Sequence, residues 1–136
     1  MSKEIAVQGC QVTYTVDNGS VTLSAQLSQA SGPVASGGNT AYIEKIICTI
    51  ASGAVNLNTP PGSASSGSGT VPPGQIIIEG TSQKTASGEK PFVLKEDEGK
   101  QTFMCIFPAS GGGTISAPVT IKAQVTNAGQ NVVKVT

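Results

Sequence analysis

The run Gln11-Val12-Thr13-Tyr14-Thr15-Val16-Asp17-Asn18-Gly19-Ser20-Val21-Thr22-Leu23-Ser24-Ala25-Gln26-Leu27 sets the fold class. Val12, Tyr14 and Val16 alternate with Gln11, Thr13 and Thr15. After Asp17-Asn18-Gly19-Ser20, Val21, Leu23, Ala25 and Leu27 alternate with Thr22, Ser24 and Gln26. A period of two puts one apolar face and one polar face on an extended chain. Asn-Gly between two such runs is a short-turn signal, so the stretch predicts a β-hairpin with Asn18-Gly19 at its tip. Asn18-Gly19-Ser20 also matches a glycosylation sequon, which has force only on a secretory route.

The same grammar recurs along the chain. Residues 29–40 are rich in Gly, Ser and Asn and read as a loop. Tyr42 to Ile50 is a short, isoleucine-rich run that reads as a buried strand, and Val55 with Leu57 as a further short one. Residues 59–74 hold Pro-Pro-Gly at each end of a Ser/Gly stretch and predict a long surface loop. Gln75 to Gly80 restarts the strands. Pro91-Phe92-Val93-Leu94 and Gln101 to Phe107 read as paired strands, with Lys95 to Lys100 as their polar tip. Val119, Ile121, Ala123 and Val125 alternate, Asn127-Ala128-Gly129 turns, and Val132 to Val135 returns as a closing hairpin. No apolar stripe of period 3.6 follows any helix-start signal. The expectation is one all-β domain over residues 1–136: a compact cone, small barrel or sandwich of about ten short strands with Gly-rich loops. Tyr14, Tyr42, Phe92, Phe103 and Phe107 all fall at core positions of this pattern.

Composition narrows the function. The chain has 136 residues, 8 basic and 8 acidic, and a formal net charge of zero. Every basic residue is lysine, and histidine and tryptophan are absent. A neutral chain without arginine lacks the electrostatic footprint of a nucleic-acid binder. Without histidine, most general acid/base and Ser-His or Cys-His schemes have no base. No apolar run approaches the roughly 18–20 residues of a membrane span. The opening Met1 to Val7 has no apolar stretch of a secretory signal, which predicts cytoplasmic synthesis.

Few residues invite chemistry. Cys10, Cys48 and Cys105 are odd in number, widely spaced and each set in an apolar run. They read as buried free thiols; convergence of the three on one metal is the sharper alternative. Ser87-Gly88-Glu89-Lys90 fits S-x-x-K by spacing alone. Glu96-Asp97-Glu98 reads as a solvated hairpin tip rather than a Ca²⁺ loop. Nine of the 16 charged residues fall within residues 79–100, which reads as an exposed face or a docking surface. No catalytic set emerges, and the chain reads as a non-enzyme.

Gly67-Ser68-Gly69-Thr70, Gly80-Thr81-Ser82-Gln83-Lys84, Gly88-Glu89-Lys90-Pro91-Phe92-Val93-Leu94, Asp97 and the closing Val125 to Gln130 resemble PAAR-like spike-tip proteins of contractile injection systems. The resemblance covers mainly residues 67–98 and 119–135. It implies a cone of short strands whose base caps a trimeric β-helical spike of a phage-tail-like or type VI secretion-like baseplate. It also implies assembly into a particle delivered outward, and in some cases an attached effector cargo. The family's apex metal is held by histidines and a cysteine. This chain has no histidine, so Cys10, Cys48 and Cys105 are the only candidates to hold a structural metal such as zinc. Two rival readings share the composition: a phage decoration or tail-tube protein, and a carbohydrate- or surface-binding β-sandwich module. The last needs exposed aromatic rings for stacking.

Overall fold

The computed structural model describes residues 3–33, 38–82 and 91–129 and the backbone of 134–135. Among the described residues there are nine strands and no helix: β1 (Lys3–Glu4), β2 (Gln11–Val16), β3 (Gly19–Leu27), β4 (Lys45–Leu57), β5 (Ser68–Val71), β6 (Gly74–Glu79), β7 (Glu98–Pro108), β8 (Thr114–Asn127) and β9 (Lys134–Val135). The chain is all-β, as its period-two patterning predicts. Seven strands form one antiparallel sheet in the order β2-β8-β7-β5-β4-β3, with β6 also paired to β4. The sheet curls into a small, nearly closed barrel.

Several local expectations are corrected. The turn is present but lies one residue earlier than Asn18-Gly19, at Asp17-Asn18 with Asn18 at φ 61°, and the strands beside it do not pair with each other. β2 pairs with β8 and β3 with β4, because longer apolar partners are available there. Three strands are longer than expected: β4, β7 and β8 have 13, 11 and 14 residues. Val55 and Leu57 belong to β4, not to a separate strand. At Ala51 the register slips between Ser24/Ser52 and Ala25/Ile50. That bulge resets the alternation, so Ile46, Cys48 and Ile50 before it and Val55 after it all face the core.

The Ser/Gly stretch is not all loop. Ser68–Val71 is a barrel strand, paired to β4 and β7. Gly69 is what makes it one: a Cβ there would lie 2.5 Å from the Phe107 ring. The missing side chain lets a fully buried phenylalanine pack flat on the backbone. Gly99 serves the same end on β7, where a Cβ would collide with the Ile77 carbonyl.

Pro91–Leu94 does not pair with β7 either. It makes single bridges, Phe92 to Ile43 and Leu94 to Ile5, while β7 pairs along its length with β8. Val132 and Val133 of the expected closing return lie outside the described residues, and among the described residues the closing segment makes no hairpin either: β8 pairs with β2 and β7, and β9 pairs with β1. The turn between them is real, with the Gly129 N–H donating to Asn127 Oδ1 at 2.9 Å.

The core fills the barrel with the inward rows of β4, β5, β6, β7 and β8, among them Ile46, Ile50, Val71, Ile76, Ile78, Phe103, Phe107, Ile121 and Val125. Segments 4–7, 40–43 and 91–94 weave across one barrel end, through Ala6 N–H to Val93 O, Tyr42 N–H to Ala6 O and Val93 N–H to Tyr42 O. Ile5, Val7, Ala41 and Leu94 form a second small apolar cluster there. The S-x-x-K match at residues 87–90 lies outside the described residues, as do Lys84, Glu89 and Lys90 of the charged stretch.

Candidate functional site

β2 and β3 are the two ends of the barrel's hydrogen-bonding path, so among the described residues each keeps one free edge. A two-residue turn joins them, and the free edges face each other across an open seam. The direction of the backbone groups follows from their neighbours. The Val125 N–H donates to Asp97 O (2.9 Å) and Val125 O accepts from Glu96 N–H (2.8 Å), so both groups point towards β7. Val12, opposite Val125, therefore turns its own N–H and C=O away from β8 and into the seam. Alternation does the same for Tyr14. On β3, Leu57 N–H donates to Gly67 O, which turns its partner Gly19 to the seam. Val21 and Leu23 follow. Beyond the bulge, Ser28 N–H bonds Ile47 O, which leaves Ala25 and Leu27 facing the seam.

These same residues carry the inward side chains of the two strands. Val12, Tyr14, Val16, Val21, Leu23, Ala25 and Leu27 pack against the core but are only partly buried. Between Cys10–Tyr14 and Ala25–Leu27 the seam widens to a groove of about 370 Å³. At the capped end a side chain spans it: Gln8 Oε1 accepts the Ala30 N–H at 2.8 Å. The Tyr42 hydroxyl, buried below, donates to Ser28 O at 2.6 Å, and Ser28 Oγ accepts the Ile47 N–H.

The thiols lie under this seam or apart from it. All three are free and buried. Burial pushes the Cys10 thiol up to about 11, with Cys48 nearby adding to the effect. Burial also raises Cys48, and the nearby Tyr14 hydroxyl works against that rise. Tyr42 is pushed up to about 12, first by burial and then by the two thiols, and Tyr14 is raised by the same causes. Cys10, Cys48, Tyr14 and Tyr42 thus form one neutral cluster at neutral pH. Cys105, raised by burial alone, sits elsewhere in the core on β7. Among the described residues no three His, Cys, Asp or Glu side chains come together as metal ligands would, so the three cysteines are not a convergent set.

Asp97 belongs to the stretch expected to form a solvated tip, and it is instead buried. Its Oδ2 accepts the Leu94 N–H at 2.8 Å and the Thr81 N–H at 3.2 Å, and its Oδ1 accepts from the Thr81 hydroxyl. The carboxylate ties the exit of β6 to the entry of β7. Glu96 beside it stands at φ 76°, which completes the tight turn. An acid directly before a strand and two residues before its Gly99 was the available signal.

A second surface lies outside the barrel. Met104 and Ile106 on β7 point outward and are 53 % and 45 % exposed. Pro118 and Ser116 of β8 stand opposite them. Pro72 and Pro73 line a groove with Met104, and Pro108 lines one with Ile106. The strip carries no charge. Lys100, Lys122 and Glu98 gather farther along the same strands, where Lys122 Nζ lies 3.4 Å from Glu98 Oε2. Aromatic rings are absent from both surfaces except Tyr14: Tyr42, Phe103 and Phe107 are buried, and Phe92 is half-buried in the cap. No protein-family model matches the chain, and no curated protein sequence matches it either.

Proposed function

We propose that this protein is a non-enzymatic structural subunit of a phage-tail-like contractile injection machine, and that it docks on its neighbours through the outer face around Met104 and Ile106. The observation that carries the reading is that exposed, uncharged strip. Two large apolar side chains about half exposed, flanked by prolines, favour burial against another protein. The machine itself is named by the sequence resemblance over residues 67–98 and 119–135. Within it, the spike tip capping a trimeric spike is the position that the resemblance implies.

The strand lengths favour a second reading, as a tail-tube or decoration protein. Three strands of 13, 11 and 14 residues in one barrel suit a wall-forming subunit better than a cone of short strands. The sugar-binding reading has less support, because no aromatic ring among the described residues stands fully exposed for stacking.

Affinity purification of the tagged chain from its host, with the machine expressed, tests the proposal. Recovery of identified spike, baseplate, tube or sheath proteins is expected, and the double variant Met104→Lys/Ile106→Lys loses them while folding normally. Recovery of the monomer alone overturns the reading. Mass measurement of the isolated chain separates the two positions: a spike tip stays monomeric, whereas a tube or decoration protein forms rings or trimers.

A further inference from the structure

We propose that the seam between β2 and β3 is a strand-acceptor site, which takes one extended, uncharged segment of a partner polypeptide. This goes beyond the assembly reading, uses a different surface and does not depend on it. Three observations specify the occupant.

The first is the hydrogen-bonding demand. Val12, Tyr14, Val21, Leu23, Ala25 and Leu27 turn backbone N–H and C=O groups into the seam, and among the described residues no strand pairs with them there. An extended main chain is the ligand that presents donors and acceptors at the matching spacing. Gln8 already mimics it at one end, where its side-chain amide supplies the acceptor for Ala30 N–H. Because β2 and β3 run in opposite directions, the incoming strand is antiparallel to one and parallel to the other.

The second is the apolar row. Inward side chains on the other barrel strands are mostly fully buried, while those of β2 and β3 are only partly so. An added strand would cover the exposed part of Val12, Tyr14, Ala25 and Leu27 along the groove. Its own alternate apolar side chains would point the same way.

The third is charge. β2 and β3 have six and nine residues, and none is Lys, Asp, Glu or Pro. Soluble proteins usually block a free edge with such residues. Nothing here repels a neutral strand, and nothing attracts a charged one, so the matching partner segment is uncharged with apolar residues at alternate positions.

The test uses the full chain, isotope-labelled for amide NMR and hydrogen exchange. The probe is a capped peptide with the sequence of residues 19–27, which is itself uncharged and alternating. The expected result is selective: amides of Val12, Tyr14, Leu23 and Ala25 shift and exchange at least about tenfold more slowly, while those of Thr13 and Thr22 do not change. The same peptide N-methylated at alternate amides leaves all of them unchanged. Three results overturn the proposal. Slow exchange of those amides in the free monomer means the seam closes on itself. Protection that grows with protein concentration, together with a doubled mass, means a second copy occupies it. No change at about 1 mM peptide means there is no acceptor site.

Discussion

On the closed wall of the barrel, from β8 through β7 and β5 to β4, the inward side chains are almost all shut away from water; at the seam, chemically similar side chains are only partly buried. Phe107, Ile50, Val55, Ile121 and Val125 show 0–2 % of their surface. Val12, Tyr14, Leu23 and Leu27 point to the same interior and remain partly open. Hydrophobicity is the same on both sides, so composition does not set the difference. The closeness of the neighbours does: the backbones of the wall lie against one another, as Gly99 of β7 does against Ile77 of β6, whereas β2 and β3 face each other across a groove. Stability should therefore reside in the wall and binding capacity in the seam.

The largest expected effect tests the wall. Phe107→Ala should cost about 3–5 kcal/mol, because the ring is fully buried and Gly69 offers no side chain to fill the space. Urea unfolding monitored by circular dichroism checks it. A loss under about 1 kcal/mol would mean the wall is not the packed side.

The next effect tests how the wall is tied at its end. Asp97→Ala removes the acceptor for Leu94 N–H, Thr81 N–H and the Thr81 hydroxyl. Hydrogen bonds to a charged group and the donors left behind put the cost at about 2–3 kcal/mol. Asp97→Asn retains one acceptor oxygen and should recover part of it. Equal stability of all three proteins would make the carboxylate the solvated residue that the charged stretch first implies.

These two residues also show how far the sequence can be read. The all-β class was legible in the period-two runs, because alternation is local. So was a turn in Asp17-Asn18-Gly19-Ser20, although it falls on Asp17-Asn18 rather than on Asn18-Gly19. The pairing of the strands beside it was not: adjacency in sequence favours a hairpin, and only the whole sheet shows that β8 and β4 offer longer partners. Ser68–Val71 read as loop because a Ser/Gly run lacks β propensity. It is a strand because Phe107, 38 positions later, needs a surface without Cβ atoms. Asp97 was hidden in part for the same reason: the Leu94 N–H is only three positions away, but its other two donors come from Thr81, 16 positions earlier. The seam was illegible throughout, because an edge is defined by what does not pair with it. The three cysteines could be read as buried thiols one by one, but not that Cys10 and Cys48 share Tyr14 and Tyr42 while Cys105 stands apart.

The thiols and phenols below the seam give a pH signature. Cys10 titrates at about 11 in the folded chain against 9.0 for an ordinary thiol, with burial as the main cause. Between these values the unfolded chain has lost the proton and the folded one keeps it, so the unfolded state gains. Stability is full below about pH 9 and falls as the pH rises towards 11. Cys48 and Tyr42 act in the same direction. Denaturation midpoints measured across this range should decline, and Cys10→Ala should flatten the slope. A slope unchanged by that substitution would mean that Cys10 ionises as easily folded as unfolded, and that water already reaches the seam floor.

The smallest effect bears most directly on the difference between the two sides. Leu27 lines the groove and is only half buried, so truncation forfeits the covered part of its surface and leaves a space already open to solvent. No sealed cavity forms, and the cavity penalty that enlarges core truncations is absent. Leu27→Ala should therefore cost about 1 kcal/mol, well below a buried leucine. The same urea titration that reads Phe107→Ala reads this variant. If the two substitutions cost the same, the seam is as dry as the wall and β2 and β3 close on each other in solution. If Leu27→Ala is nearly neutral until the peptide of residues 19–27 is added, and costly afterwards, then the leucine is buried by the occupant rather than by the fold.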